Sequence, residues 1–201
     1  MDPKHQILQA AVQLIAQKGF AATTIREIAL MASVNLSMVH YYFKNKETLL
    51  ENIVKETIGT VTDSLYRAQK ANISEIEKIY SIIDVNVQFI FGNKDVAKII
   101  FQEELVSSYG KVQDILNELN MVNRKHFEKI VELGQQKNLF ARNVNPTLLY
   151  SSISGTIQQC IVRIISEQGN HENRKNDLLE AEAHELISYL KLFCKKILCL
   201  P

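Results

Sequence analysis

Two lysines bracket an asparagine at Lys44-Asn45-Lys46, directly after the aromatic run Tyr41-Tyr42-Phe43. Just upstream, the polar side chains of Asn35, Ser37 and His40 alternate with Leu36 and Met38. Amide and hydroxyl groups of this kind hydrogen-bond base edges or phosphate oxygens, and apolar side chains contact thymine methyls. Lysines supply point charges for phosphate. Other chemistries find no support. The chain has no G-x-S-x-G, no Walker loop and no zinc-spaced Cys/His set. Glu103, Glu104 and His126 invite comparison with a di-iron bundle, which needs Glu-x-x-His pairs. The residues three before the five histidines are Asp2, Ser37, Asn123, Gln168 and Ala181, so no such pair exists. Neither a metal nor a cofactor is expected.

The elements that must carry these groups are legible. Gly19 ends a first helix running from about Lys4, with Lys18 in its last turn. Thr24-Ile25-Arg26-Glu27 fits a capping box, and Ile25, Ile28 and Ala29 then fall on one face of a second helix. Ser33-Val34-Asn35 breaks the pattern, and Asn35 is a good N-cap for a third helix to about Phe43. Val39, Tyr42 and Phe43 share its inward face. Leu36, Ser37, Met38, His40 and Tyr41 are left outside, an apolar surface that makes sense if it meets something. Lys46 stands at the next helix N-terminus, where amide dipoles also favour a phosphate. The layout is that of a helix-turn-helix.

Residues 19–50 resemble the DNA-binding domain of the tetracycline-repressor (TetR) family of bacterial transcription regulators. The resemblance rests on Gly19-Phe20, Thr23 to Ala29, Ala32, Val34, Tyr41-Tyr42-Phe43, Lys44-Asn45-Lys46-Glu47 and Leu49-Leu50. It implies that Tyr41 and Lys46, with Thr24 and His40, hold phosphate oxygens. The DNA-binding set is therefore Thr24, Asn35, Leu36, Ser37, Met38, His40, Tyr41, Lys44 and Lys46. Three features depart from the family: Ser33 replaces the usual turn glycine, Asn35-Leu36-Ser37-Met38 replaces a Ser-Lys-Gly-Thr type of segment, and His40 replaces the first aromatic. A positive φ at Ser33 would cost about 1 kcal/mol.

Composition agrees with a helical protein. The 201 residues are 46% apolar and 22% charged, which allows a real core, and glycine and proline are few. No alternating β-branched runs bounded by turn dipeptides occur, so a sheet is not expected. Residues 1–47 hold five basic and three acidic side chains, against a net charge of +1 for the chain, a weak asymmetry of the right sign. Residues 143–162 carry no charge, yet their Ser, Thr, Gln, Asn and Pro content is wrong for a bilayer. The start MDPKHQ leads into an amphipathic helix, and Cys160, Cys194 and Cys199 lack metal spacing. A cytoplasmic protein with reduced thiols is expected.

The expected fold is all-α, with about nine helices. A three-helix helix-turn-helix domain (1–47) continues through a long fourth helix, capped by Asn45, into an effector-binding and dimerisation domain (48–201). Ser74 to Glu77 is a second capping box, and Asn145-Pro146 starts an eighth helix. The eighth and ninth helices carry apolar stripes that could finish one monomer's core, with Ile153, Ile157 and Ile161 on one and Leu186, Leu190 and Ile197 on the other. Each has a second flank as well (Leu148 and Ile165; Leu178, Phe193 and Leu198). Two copies could therefore pack as a four-helix bundle, and the resemblance implies such a homodimer through the last two helices, with Ile153, Ile157, Ile161, Leu186, Leu190, Phe193 and Ile197 as its interface. It also implies an effector pocket among the fourth to eighth helices. Phe89, Phe101, Tyr109, Met121 and Phe127 are candidate lining residues, with Phe91 and Phe140, although core packing is the simpler account of each.

The reading is of a ligand-responsive regulator, a repressor in first place, that binds a palindromic double-stranded operator as a dimer. Its reading helices would sit about 34 Å apart or somewhat more. A small-molecule effector would release it. The alternative is a helical carrier or enzyme with a vestigial helix-turn-helix.

Overall fold

The computed structural model describes residues 2–106, 110–168 and 176–199. Among them are nine α-helices: α1 (Pro3–Lys18), α2 (Ile25–Met31), α3 (Leu36–Phe43), α4 (Lys46–Lys70), α5 (Glu75–Gly92), α6 (Lys94–Val106), α7 (Gly110–Gln136), α8 (Pro146–Gln168) and α9 (Asn176–Leu198). The fold class is the expected one, and the helix ends follow local chemistry. Asp2 caps α1 with Pro3 at its first position, and Gly19 leaves it at φ 84°. The Thr24 capping box opens α2, and the Asn35 side chain caps α3 through the Met38 amide at 2.8 Å. Asn45 accepts from the Thr48 amide at 2.7 Å, and Asn145 from the Leu148 amide at 3.1 Å. Ser33 does take a left-handed φ of 54°.

Contacts divide the chain into two compact units, residues 1–59 with 94–117, and residues 60–93 with 118–201. This differs from a boundary at residue 47. The core of the first unit holds Ile7, Ala11, Ile15, Ile28, Val39, Phe43, Leu49, Leu50, Ile53 and Val54, and also Ile99, Val112 and Leu116. Three short helices bury too little surface alone. The first half of α4, α6 packed on α1, and the start of α7 complete that core.

The second unit centres on Ile79, Ile83, Val87, Phe127, Ile130, Val131, Ile153, Ile157, Ile187, Leu190 and Cys194. Within it α5 packs along α9. Lys191 pairs with Asp84 at 2.7 Å, and Lys137 with Glu75 at 2.5 Å. The turn after α7 is tied to the end of α9 by the Ala141 amide on the Leu198 carbonyl at 2.8 Å. The Phe140 ring packs against Gly134, where a Cβ would come within 2.1 Å of it. Gly134→Ala is therefore expected to lose about 1–3 kcal/mol in urea unfolding. Much of that loss should vanish in a Phe140→Ala background, and equal losses in both backgrounds would count against ring contact as the cause.

Candidate nucleic-acid interface

Two side chains decide how α3 presents itself. Val39 and Phe43, one turn apart, are fully buried and bind the helix to the core. The helical period then turns the other positions outward. Tyr41 is 81% and Leu36 37% exposed; Asn35, Ser37 and His40 are exposed and Met38 is half-buried. Tyr42, expected inside, is instead at the surface, its ring edge-on to Tyr41 at 5.2 Å. It lies 100° round the helix from Phe43, beyond the narrow face that two anchors bury.

Several polar groups of this surface already have partners. The Asn35 carboxamide oxygen accepts from the Met38 amide and from the Ser37 hydroxyl, the latter at 2.6 Å. Its NH2 group remains for a base edge or phosphate. The His40 Nδ1–H donates to the Lys44 carbonyl at 2.9 Å, because a carbonyl can only accept. That bond braces Lys44, whose φ is 58°. Nε2 faces away from it.

The cations are less free than the sequence implies. Lys4 pairs with Glu56 at 3.2 Å, Lys18 with Glu27 at 2.5 Å and Lys55 with Glu51 at 3.6 Å. Lys46, expected on a phosphate, donates to the carbonyls of Phe20 at 2.7 Å, Thr23 at 2.8 Å and Ala21 at 3.3 Å. Its ammonium also stands 4.3 Å from the Phe20 ring centroid. An ammonium has three donors, and here all three are used. Among the described residues 2–59, Arg26 and Lys44 are the cations left without a partner. Arg26 is exposed at the second position of α2. Sequence reasoning passed over it, although its place on the outward side of Ile25, Ile28 and Ala29 was a usable signal.

Thr24 is similarly engaged. Its hydroxyl donates to Glu27 Oε2 at 2.7 Å and accepts from the Glu27 amide at 3.3 Å, and its own amide donates to Glu27 at 2.9 Å. To reach a phosphate as donor it must leave the capping box. Lys18 first, then Thr24, hold the Glu27 carboxyl down to about 2 from an ordinary 4.5. A depressed carboxyl stabilises the fold above its unfolded value and loses that contribution as pH falls through its folded one. The start of α2 should accordingly loosen between about pH 4.5 and 2. Amide exchange at Glu27 would report this, and Glu27→Gln should flatten the dependence. A flat profile in the parent would contradict the assignment.

The other candidate sites are placed differently from expectation. Phe127 is buried in the second core against Tyr150, with ring centroids 5.6 Å apart, and Phe140 covers Gly134. Met121 is exposed, and Phe89, Phe91 and Phe101 are half-buried. Tyr109 lies outside the described residues. The expected set does not line one described cavity. The expected dimer stripe also lies differently in the monomer. Ile153, Ile157, Ile161 and Leu190 are buried within the chain's own fold, and Leu186 and Phe193 pack against the second core. The widest apolar face of each helix goes to its own monomer. Of the expected residues Ile197 is exposed.

The narrower outward seams carry Leu148, 66% exposed, with Ser152, Gly155, Gln159 and Val162 on α8. On α9 they carry Glu185, Tyr189 at 58%, Leu192 at 52% and Lys196. Leu148 thus lies outside as its second-flank position implies, whereas Leu198 is buried, and the Ile165 and Leu178 side chains lie outside the described residues. Between the seams runs an open groove of about 1090 Å³, lined by Phe91, Gly155, Gln159, Arg163, Glu182 and Tyr189 among others. No helix among the described residues is long and apolar enough to cross a membrane, and no group of three metal-ligating side chains occurs among them.

Residues 7–53 match the family described as bacterial regulatory proteins, tetR family, and residues 54–188 match that of the YsiA-like protein, C-terminal region. The chain is 29% identical over 140 residues to the probable HTH-type transcriptional regulator YttP of Bacillus subtilis, covering 68% of this chain and 67% of that one. It is 28% identical over 160 residues to the fatty acid metabolism regulator protein of Bacillus subtilis, covering 79% and 82%. The crystal structure of the regulator FadR from Bacillus subtilis in complex with stearoyl-CoA superposes with a TM-score of 0.72 at 25% identity, over 92% of this chain and 96% of that one. With both units matched and a reading helix turned outward, the chain belongs to the TetR family of ligand-responsive, DNA-binding transcriptional regulators.

Proposed function

We propose that this protein is a cytoplasmic homodimeric repressor that grips a roughly palindromic operator and releases it when a long-chain acyl thioester binds in its second unit. The observation that carries the DNA half is the outward face of α3, with Leu36 and Tyr41 exposed and the unpartnered cations Arg26 and Lys44 on α2 and just after α3. Asn35, Ser37, Leu36, Met38 and His40 would face bases or their rim, and Arg26, Tyr41 and Lys44 the backbone. Thr24 and Lys46 act mainly by holding the local fold.

The dimer reading rests on the outward seams of α8 and α9. Their members recur at intervals of three and four residues, the period of knobs-into-holes packing. Gly155 has open space around its missing Cβ, so a partner helix can come close. Leu192→Asp puts a charge into that seam. It should give a monomer by sedimentation, with unchanged far-UV circular dichroism and loss of tight operator binding. A dimer that persists would sink this assignment.

The effector class is supported by the fatty acid regulator's similarity and by the stearoyl-CoA bound to its solved relative. Within this chain, Thr62 Oγ1 on α4 and Asn123 Oδ1 on α7 in the second unit are buried without a hydrogen-bond partner, as is Gln113 Oε1 in the first. Buried polar atoms of that kind ask for a ligand or water. Both α4 and α7 contribute residues to each of the two units. The test is a duplex selected by this protein from a random-sequence pool, titrated with stearoyl-CoA and separately with coenzyme A. Stearoyl-CoA should weaken binding by about 5–150-fold, the span of ordinary coupling energies. Coenzyme A alone should not. Identical affinity with and without stearoyl-CoA would reject the effector class and leave the DNA reading intact.

A further inference from the structure

We propose that Lys46 is a positioning residue that aims α2 at DNA and does not itself contact phosphate, an inference that rests on the DNA-binding reading. Lys46 opens α4, where a positive charge opposes the helix dipole. Its ammonium is offset by a socket of three carbonyl oxygens, those of Phe20, Ala21 and Thr23. The Phe20 ring closes the socket. The same turn is drawn together by the Thr23 hydroxyl on the Gly19 carbonyl at 2.8 Å and the Thr23 amide on the Phe20 carbonyl at 3.2 Å. Thr23 leads directly into Thr24, the N-cap of α2, and two residues on stands Arg26.

The chain of cause runs from ammonium to turn, from turn to N-cap, and from N-cap to the exposed guanidinium. A charge-assisted hydrogen bond is the strong kind, and three of them converge here on a half-buried nitrogen. Moving that nitrogen to a phosphate would leave three carbonyls to find new donors. Lys46 therefore stays in its socket when DNA binds, and Arg26 supplies the charge at this end of the interface.

The test uses the full-length protein and a duplex it selects from a random-sequence pool. Lys46→Met keeps the aliphatic stem against Phe20 and removes the donors. Arg26→Ala should weaken binding about tenfold and lower the slope of log affinity against log salt by about 1. Lys46→Met should weaken binding by a similar factor at temperatures well below its unfolding. In the Arg26→Ala background, Lys46→Met should change neither affinity nor slope further. In the parent, the ¹⁵Nζ resonance of Lys46 and its slow proton exchange should persist as duplex is added, a measurement that stands even if the Met variant fails to fold. A further slope loss of about 1 in the double variant would overturn the proposal and assign a phosphate to Lys46. Parent-like affinity in Lys46→Met, or a Lys46 resonance that shifts on adding duplex, would overturn it as well.

Discussion

The reading surface depends on the burial of two side chains, one turn apart on the eight-residue α3. Val39 and Phe43 leave no surface to water, and together they fix the rotation of a helix too short to be stable alone. Once they are inside, Leu36, His40 and Tyr41 have only one direction left. The same core needs more apolar surface than α1, α2 and α3 supply. Leu49, Leu50, Ile53 and Val54 from α4, and Ile99, Val112 and Leu116 from α6 and α7, furnish the remainder. The DNA-reading unit is thus built partly from residues distant in sequence. Any change in α6 or in the first turns of α7 acts on the core that orients α3.

Electrostatics here is local. A net charge of +1 over 201 residues creates no broad field for a polyanion. Most cations near the reading helices are spent on internal partners: Lys18 on Glu27, Lys4 on Glu56, Lys46 on the turn carbonyls. Those pairs hold helix ends and turns in register. The few unpartnered groups, Arg26 and Lys44 among them, then sit on a rigid frame. Lys44 is itself held in a left-handed conformation by the His40 ring, which makes the turn between α3 and α4 a built feature rather than a loose connection.

Much of the helical order was legible because capping is local chemistry. Thr24, Asn35, Asn45, Ser74 and Asn145 each announce a start, and Gly19 a stop. The positive φ at Ser33 was legible from its place in the turn. What the sequence could not tell was which of two apolar stripes on α8 and α9 turns inward. Ile153, Ile157 and Leu190 have the residue types of either a core or an interface, and only the position of α5 and α7 assigns them to the core. Lys46 illustrates the same limit. Its type and its place at a helix N-terminus fit a phosphate, but the acceptors that occupy it are backbone oxygens more than twenty residues away, which carry no sequence signature. Arg26 was overlooked for the complementary reason, since freedom from partners is visible only once every neighbour is placed.

The central claim is that the outward face of α3 reads bases. The direct measurement is to compare the duplex sequences selected from one random pool by the parent and by a Leu36→Ala, Met38→Ala variant. The account predicts two symmetric half-sites for the parent, with preference relaxed at the same position or positions in both halves for the variant. The same consensus selected with the same stringency by both proteins would contradict it.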